Sequence, residues 1–336
     1  MKREIKTSCD ILIVGGGPIG LTCAIEAKKR GFDHLIIEKG CLCNSIYMYP
    51  TYMTFFSTPD LLEIGGIPFV TEQNKPTRGE ALEYYRRVKE FYELNMHTYE
   101  KVESITGESG GFLVQTSKRQ YQAKKVILAI GFFDRPRFMN VPGEDLPKVS
   151  HYYRDPYPYA GQELLVVGSG NSAAINALEC YRHGARVTVA IRGEGFHEGV
   201  KYWIKPDIEN RIRDGDIRAY FNTEVVEIRS ESVVLKNKLD RQTFEIDNDF
   251  VLAMTGYEPD FSFLETIGVQ LKNDQYRTPV YNPETYEISR PGIYIAGVTV
   301  GGLLTNKWFI ENSRAHAVAI VQHIAGQPEC SADAFP

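Results

Sequence analysis

The sequence contains one pattern twice: an apolar strand that runs into a glycine-rich turn and then into a helix. Residues 11–14 precede Gly15-Gly16-Gly17-Pro18-Ile19-Gly20, and residues 164–167 precede Gly168-Ser169-Gly170-Asn171-Ser172-Ala173. Such a turn directs backbone N–H groups and the positive end of a helix towards a pyrophosphate. One GxGxxG is a weak signal, but two copies in strand–turn–helix context predict a chain that binds two dinucleotides. A flavin and a nicotinamide coenzyme are the simplest such pair.

The size and composition of the chain narrow the class of protein. With 336 residues, we expect two domains rather than one core. The net charge of −5 argues against non-specific nucleic-acid binding, which needs a basic surface. No apolar run approaches the roughly 20 residues that span a bilayer, and residues 1–6 lead into the first strand without a signal peptide. We therefore expect a cytoplasmic protein without nucleic-acid or membrane partners.

The order of predicted elements suggests how the two domains are connected. Residues 10–38 and 162–192 are each predicted to form a βαβ unit. The C-terminal segment has a pattern similar to the first unit, with a strand at 292–296 and a helix from about Lys307 to Ile324. Five prolines crowd residues 136–158, which we interpret as the crossing between domains. The predicted fold is α/β, with two Rossmann-like three-layer domains, the second inserted into the first. The first domain takes residues 1–155 and 277–336, and the second takes 156–276.

The segments between these units carry weaker signals. Residues 44–76 are rich in aromatic residues and proline, and we interpret them as a long loop over a cofactor. Thr77-Arg78-Gly79-Glu80 is a capping-box pattern that predicts a helix to about Leu94. Further strands are expected at residues 98–105, 112–116, 126–130, 217–228, 232–235, 244–246 and 250–254.

One residue in each domain indicates which dinucleotide is bound. Glu38 ends the second strand of the first unit, where a carboxylate accepts both ribose hydroxyls and repels a 2′-phosphate. The first site therefore suits FAD or NAD(H). Arg192 occupies the matching place in the second unit and suits a phosphate, so we expect NADPH there, with Lys201 assisting. The alternative interpretation of Arg192 is a solvated strand end.

The six cysteines show neither a metal-ligand spacing nor the pattern of a secreted disulfide framework. Several fall in apolar segments and are expected to be reduced thiols of the core. No metal site is predicted.

At this point a family resemblance is visible. The paired motifs, with residues 126–131 and 251–256 as linkers, resemble the thioredoxin reductase and flavin monooxygenase lineage of flavoproteins. Within that lineage the chain is most similar to the bacillithiol disulfide reductases. The stretches that carry this similarity are residues 38–40, 44–47, 49–51, 54–57, 149–152, 201–210, 293–298 and 310–312.

The resemblance implies an FAD-dependent enzyme that passes a hydride from NADPH to the flavin and reduces a low-molecular-weight thiol disulfide. It also implies a homodimer or homotetramer. Residues expected at the FAD are Gly15, Gly17, Pro18, Gly20, Glu38, Lys39, Asn44, Ser45, Val102, Gly131 and Gly297. Residues expected at the NADPH are Gly168, Gly170, Asn171, Ser172, Arg192 and Lys201. The N-terminus of the tail helix, after Gly297, is expected to face the flavin.

Two residues depart from the lineage pattern. Ile19 occupies a position where family members often carry a cysteine, so no mixed disulfide can form there. Val298 replaces the usual Asp after the tail glycine, which the bacillithiol branch tolerates.

The catalytic residues are not predicted by any clear motif. No CxxC precedes the second glycine turn, so a tethered dithiol is not expected. His151 is a candidate for contact with the nicotinamide or flavin, and a structural histidine between domains is the alternative. Cys43, next to Cys41, is a candidate thiol, with an incidental loop thiol as the alternative. The other activities left open are a reductase of ferredoxin or flavodoxin, a monooxygenase and a flavin-dependent redox sensor.

Overall fold

The structure, a computed structural model, describes residues 7–326 of the chain, and the predicted features at residues 1–6 and at Cys330 lie outside them. The chain divides into two compact units, and each is described by itself. The first comprises the described parts of Met1–Met48, Tyr52–Arg135 and Glu258–Pro336, and the second comprises Tyr49–Thr51 and Pro136–Tyr257.

The two crossings that bound the inserted segment Pro136–Tyr257 lie earlier in the chain than the predicted 155/156 and 276/277. The proline-rich segment packs within the second unit, where the short strand Val149–Ser150 pairs in parallel with residues 251 and 252. After the second crossing, Phe261 and Leu264 are buried in a core cluster of the first unit. The prolines therefore begin at the first of these crossings, as predicted, and continue within the inserted unit.

The strands, in chain order, are β1 Ser8–Val14, β2 His34–Ile37, β3 Met96–His97, β4 Val102–Thr106, β5 Phe112–Thr116, β6 Gln120–Leu128, β7 Val149–Ser150, β8 Glu163–Val167, β9 Arg186–Ala190, β10 Arg218–Tyr220, β11 Thr223–Ile228, β12 Ser232–Asn237, β13 Thr243–Asp247, β14 Phe250–Ala253 and β15 Ile293–Ile295. The α-helices are α1 Pro18–Lys29, α2 Asn44–Met48, α3 Pro59–Leu62, α4 Arg78–Phe91, α5 Asn171–Arg182, α6 Lys205–Arg213, α7 Phe261–Thr266 and α8 Ile310–Gly326. Short 3₁₀ helices cover Tyr157–Tyr159 and Gly297–Gly301.

The first unit is built on a seven-stranded sheet in the order β3-β2-β1-β6-β5-β4, with β15 also paired to β6. Strands β1, β2, β3, β6 and β15 are parallel, whereas β4, β5 and the start of β6 form an antiparallel meander. Alternate residues of β1 serve opposite faces, as the two-residue period of a strand requires. Leu12 and Val14 join a cluster with the meander and α7. Ile13 lies against α1, which packs on α8.

The second unit is built on a parallel five-stranded sheet in the order β10-β9-β8-β14-β7, accompanied by the antiparallel sheet β11-β12-β13. Leu164 and Val166 of β8 share a cluster with residues of α5 and α6. Leu165 and Val167, on the opposite face, share a cluster with β11 and β12. The unit therefore has three layers, as the two-faced apolar strands predicted.

Three local predictions can be compared directly with the structure. The capping box is confirmed: Thr77 accepts from the Glu80 backbone, Glu80 accepts from the Thr77 backbone, and α4 follows. The stretch 44–76 is not all loop, because α2 and α3 lie within it. The tail helix begins at Ile310, three residues after the predicted start near Lys307. The Asn312 side chain accepts from the Phe309 backbone N–H and donates to the Lys307 carbonyl. These two hydrogen bonds keep residues 307–309 out of the helix.

Candidate functional site

The first glycine turn is closed at two positions and open at a third. Gly15 has φ +110°, and a Cβ there would lie 2.3 Å from the Ala129 carbonyl oxygen. A Cβ at Gly20 would lie 2.0 Å from the Gly15 carbonyl oxygen. A Cβ at Gly17, the residue that precedes α1, would meet no atom within 4 Å. The turn is therefore tight where strand and helix meet, and open at the helix N-terminus, where a pyrophosphate fits.

The carboxylate of Glu38 is tied to this turn. Its two oxygens accept hydrogen bonds from the backbone N–H groups of Gly16 at 2.6 Å and Gly40 at 2.7 Å. The side chain is buried, and this burial raises the pKa of Glu38, although the two hydrogen bonds oppose the shift. Each carboxylate oxygen has further acceptor capacity, so the group can hold ribose hydroxyls while it also holds the backbone.

The structure brings several other predicted FAD residues close to this turn. Cys43 donates its backbone N–H to the Gly16 carbonyl at 3.0 Å and leads directly into α2, which begins with Asn44 and Ser45. Ser45 Oγ lies 3.9 Å from the position of a Cβ on Gly131. Pro18 is the first residue of α1.

Two predicted residues at this site have other partners. Lys39 Nζ forms an ion pair with Asp134 at 2.8 Å, and Val102 is buried on β4 opposite Thr116. These contacts hold Lys39 and Val102 to other residues of the first unit.

Gly297 lies at the turn after β15, with φ +77°. A Cβ on Gly297 would lie 3.5 Å from the Ile19 side chain, so the tail strand and the first glycine turn meet at these two residues. Its N–H is donated to Nδ1 of the buried His316 at 3.2 Å. A 3₁₀ turn, Gly297–Gly301, follows directly, and the tail helix α8 starts nine residues beyond that turn.

The second glycine turn repeats the geometry of the first. Gly168 has φ +139°, and a Cβ there would lie 2.4 Å from the Met254 carbonyl oxygen. A Cβ on Gly170, which precedes α5, would meet no atom within 4 Å. Ser172 is exposed at the start of α5, whereas Ala173 is buried beside Gly168 of the glycine turn. The open helix N-terminus is again suited to a pyrophosphate.

The two cationic residues predicted at this site lie on one loop. Arg192 is exposed just after β9, and Lys201 lies where the loop approaches α6. The Lys201 backbone N–H is donated to Oδ1 of Asn171 at 3.0 Å, so the structure brings Lys201 and Asn171 together. Lys201 Nζ lies 5.9 Å from the centre of the Trp203 ring.

His151, the first catalytic candidate, lies in the second unit. Its Nε2 is 3.4 Å from a carboxylate oxygen of Glu144, and the Phe138 ring packs edge-on against it at 5.0 Å. Burial lowers the pKa of His151, against the opposing effect of Glu144. The imidazole is therefore mainly neutral at pH 7.

Cys43, the other candidate, is almost fully buried, and burial raises the pKa of its thiol well above the ordinary value. Burial also raises the pKa of Cys41, and it raises that of Cys23 to about 12. The reactive form of a cysteine is the thiolate, so these surroundings favour the unreactive thiol. Cys23, Cys41, Cys43 and Cys180 are free cysteines, and all but Cys41 are buried.

The sequence analysis missed a buried polar network beside Glu38. Glu100 donates its backbone N–H to the Glu38 carbonyl, and its carboxylate accepts from Thr116 Oγ1 at 2.6 Å and from the Tyr121 hydroxyl at 2.8 Å. The Tyr121 hydroxyl also lies 2.7 Å from His97 Nδ1. His97 and Glu100 line a cavity of about 320 Å³. Glu38, the pair His97 and Glu100, and the pair Thr116 and Tyr121 come from separate segments of the chain, and no spacing in the sequence signals their association.

Two further properties concern residues 7–326. The His, Cys, Asp and Glu side chains of this range form no group of three or more that could hold a metal ion. No helix in this range has the length and apolar character needed to cross a bilayer.

Comparison with known proteins assigns the family. The family model for pyridine nucleotide-disulphide oxidoreductases matches residues 12–297. Bacilliredoxin reductase Bdr of Bacillus subtilis is 44% identical over 315 residues, which cover 94% of this chain and 97% of that protein. The chain belongs to the pyridine nucleotide-disulphide oxidoreductase family, in the group of the Bdr reductases. It is a flavoprotein oxidoreductase, as the paired glycine turns predicted.

Solved structures agree with this assignment. The bacillithiol disulfide reductase Bdr from Staphylococcus aureus has a TM-score of 0.92 at 39% identity, with 96% of this chain and 100% of that chain covered. The Bdr structure from Bacillus cereus has a TM-score of 0.92 at 42% identity, with coverage of 95% and 99%. The thioredoxin reductase of T. acidophilum, at 23% identity and a TM-score of 0.74 over 94% and 97% of the chains, shares the fold.

Proposed function

We propose that this oxidoreductase uses FAD and NADPH to reduce the disulfide of bacillithiol. The single observation that carries the proposal is the pair of open glycine turns, at Gly17 and Gly170, on a chain 44% identical to a Bdr reductase. The solved relatives named as bacillithiol disulfide reductases supply the class of acceptor. We further propose that the enzyme works in the cytoplasm as a homodimer or homotetramer.

The FAD belongs to the first unit in this proposal. Gly17 leaves room for its pyrophosphate at the start of α1, Gly15 and Gly20 let the strand and the helix approach closely there, and Glu38 accepts the ribose hydroxyls of its adenosine. Asn44 and Ser45, which the Cys43–Gly16 hydrogen bond holds beside the turn, lie where polar side chains can contact phosphate or ribityl oxygens. The flavin, when bound, supplies the redox chemistry, because it accepts a hydride and donates electrons to a disulfide.

NADPH belongs to the second unit in this proposal. Gly170 leaves the N-terminus of α5 open for the pyrophosphate. Arg192 follows β9 at the place where the coenzyme ribose is held, and its guanidinium matches a 2′-phosphate. Strand β9 ends without an acidic residue of the kind that holds the ribose of NADH, so NADPH is preferred.

The acceptor receives electrons without a thiol of the Gly-Gly-Gly-Pro-Ile-Gly turn. Ile19 lies against Gly297 and has no sulfur that could form a mixed disulfide. The overall reaction balances as NADPH, one proton and one disulfide giving NADP⁺ and two thiols. In this proposal electrons pass directly from the flavin to the disulfide, the chain contributes position and electrostatics, and the buried thiol of Cys43 does not act as a nucleophile.

A second acceptor has support from one observation. The Bacillus subtilis relative is named as a reductase of bacilliredoxin, which is a protein rather than a free thiol disulfide. An oxidised bacilliredoxin is therefore the alternative acceptor that we propose to test beside bacillithiol disulfide.

The test is NADPH oxidation by the purified yellow enzyme with each acceptor in turn. We expect turnover with bacillithiol disulfide, faster with NADPH than with NADH. Turnover that needs oxidised bacilliredoxin would favour the second acceptor. Turnover with ferredoxin alone, as in the 26% identical ferredoxin–NADP reductase of Ignicoccus hospitalis, would contradict both. A preparation that never acquires flavin absorbance when FAD is supplied would contradict the whole proposal.

A further inference from the structure

The side chain of Asn171, the first residue of α5, is occupied by the loop that follows β9. Its Nδ2 donates to the Gly199 carbonyl at 3.1 Å, and its Oδ1 accepts from the Lys201 backbone N–H at 3.0 Å. One carboxamide therefore holds two points of the loop, two residues apart. The sequence analysis predicted Asn171 as a ligand of the coenzyme, but both ends of its amide group contact the protein.

Other contacts hold the same loop near the second glycine turn. The His197 N–H is donated to the Ser169 carbonyl at 2.8 Å, so a residue of the turn itself binds the loop. At the start of the loop, Asn222 donates its N–H to the Gly193 carbonyl at 2.7 Å, and Lys238 Nζ lies 3.4 Å from the Arg192 carbonyl oxygen. The segment from Arg192 to Lys201 is thus fixed at both ends, with Asn171 at the Lys201 end.

The backbone of Lys201 is held on both sides, and Asn171 supplies one of the two contacts. Its N–H is held by Asn171, and its carbonyl accepts from Ile204 and Lys205 at the start of α6. Its ammonium lies 5.9 Å from the Trp203 ring, which limits the directions in which the side chain extends. The Lys201 backbone is therefore placed beside the open N-terminus of α5, where the phosphates of a dinucleotide are expected.

We propose that Asn171 is a positioning residue for NADPH: it holds Lys201 beside the second glycine turn so that Lys201 binds the phosphates of the coenzyme. This inference rests on the proposed function, because it takes NADPH as the coenzyme of the second unit. It changes the role of Asn171 from a ligand to a support. The inference also predicts that the effects of Asn171 and Lys201 on coenzyme binding are coupled rather than independent.

The experiment is a double-mutant cycle on binding of NADP⁺ to the oxidised holoenzyme, measured by calorimetry without any acceptor. We expect Asn171→Ala and Lys201→Ala each to raise the Kd for NADP⁺ by about tenfold, and the double variant to raise it by about tenfold rather than about a hundredfold. In a separate assay with the acceptor that the wild type uses, the kcat at saturating NADPH should change less than about twofold, because the lost phosphate contacts are the same in the ground state and the transition state.

Controls separate this role from a general structural one. The Asn171→Ser variant is measured beside Asn171→Ala in case the latter folds poorly, and Asn210→Ala removes a carboxamide from α6 of the same unit. Flavin content and thermal midpoint should match the wild type in all variants. Additive effects of the two substitutions, or an unchanged Kd in Asn171→Ala, would overturn the inference while the proposed function stands. A wild-type enzyme that does not bind NADP⁺ would overturn both.

Discussion

The carboxylate of Glu38 accepts hydrogen bonds from two backbone amides, one in the glycine turn and one after β2. A substitution at Glu38 therefore alters the turn as well as the space for a ribose. Arg192, by contrast, is exposed, and its side chain can be removed without loss of a buried contact. These two residues mark the two dinucleotide sites, and single substitutions test each site by itself.

We expect Glu38→Gln to yield protein with a flavin affinity reduced at least about tenfold and a lower thermal midpoint. The glutamine must turn its NH₂ group towards the N–H of Gly16 or Gly40, and a buried donor left without an acceptor costs about 1–3 kcal/mol. The flavin-to-protein absorbance ratio and a melting curve measure both effects. Glu83→Gln, on the exposed face of α4, is the control. Full flavin content in Glu38→Gln would contradict the role of this carboxylate.

For Arg192→Ala we expect the KM for NADPH to rise by about tenfold or more, with activity on NADH little changed. A guanidinium bound to a phosphate contributes to binding only when the phosphate is present. Steady-state kinetics with both coenzymes measure the ratio. An equal loss with NADPH and NADH would show that Arg192 supports the loop and does not recognise the 2′-phosphate.

At the scale of elements, α2 is a five-residue helix that carries Asn44 and Ser45, and it is too short to be stable alone. Arg78, at the start of α4, donates from Nη2 and Nε to the Tyr47 carbonyl of α2 at 2.7 and 3.2 Å. Its guanidinium also lies 5.4 Å from the centre of the Tyr47 ring. The capping box of α4 thus fixes the helix whose first residue supports α2.

We expect Arg78→Ala to weaken flavin retention by about threefold to tenfold, because the Tyr47 carbonyl, near the C-terminus of α2, loses its donors and the helix that holds Asn44 and Ser45 loosens. Dialysis of the holoenzyme followed by flavin absorbance measures this retention. Arg86→Ala, which removes exposed ion pairs from the same helix, is the control and should retain flavin like the wild type. Equal flavin retention in Arg78→Ala and Arg86→Ala would contradict the role of α2 in holding the flavin.

At the scale of the whole molecule, the stability of the first unit is linked to the protonation of His316. This histidine on α8 is buried, stacks on Tyr286 at 4.2 Å and accepts the Gly297 N–H, so the neutral ring joins the tail helix to the turn after β15. Burial lowers the pKa of His316 to about 4, from an ordinary value of 6.5. The unfolded chain therefore binds the proton more readily than the native protein does.

The sign of the pH effect follows from that difference. Because the native pKa is the lower one, the contribution of neutral His316 to stability is present above pH 6.5 and decreases as the pH falls towards 4, by about 3 kcal/mol in total. We expect His316→Asn to be less stable than the wild type at pH 7 but to lose less stability between pH 7 and pH 4.5. Urea unfolding at both values checks this, and an identical decrease in both proteins would contradict it.

The sequence by itself determined the two strand–glycine–helix units, the start of α4 and the insertion of one unit in another. These features depend on neighbouring residues: Gly15 and Gly168 need a positive φ, and Thr77 with Glu80 satisfies the first amides of a helix. Most predicted binding residues belong to such local patterns, and the structure places Gly17, Glu38, Asn44 and Ser45 around one turn.

Only the tertiary structure decided which residues cooperate across long stretches of the chain. The contacts of Gly297 with Ile19 and His316, of Asn171 with Lys201, and of Glu100 with Tyr121 join residues on different elements. The crossings between the units also differ from the predicted ones, because the proline-rich segment contains strand β7, which pairs with β14. Periodicity and spacing report the geometry of a single element, whereas these contacts depend on how the elements pack, which no local pattern encodes.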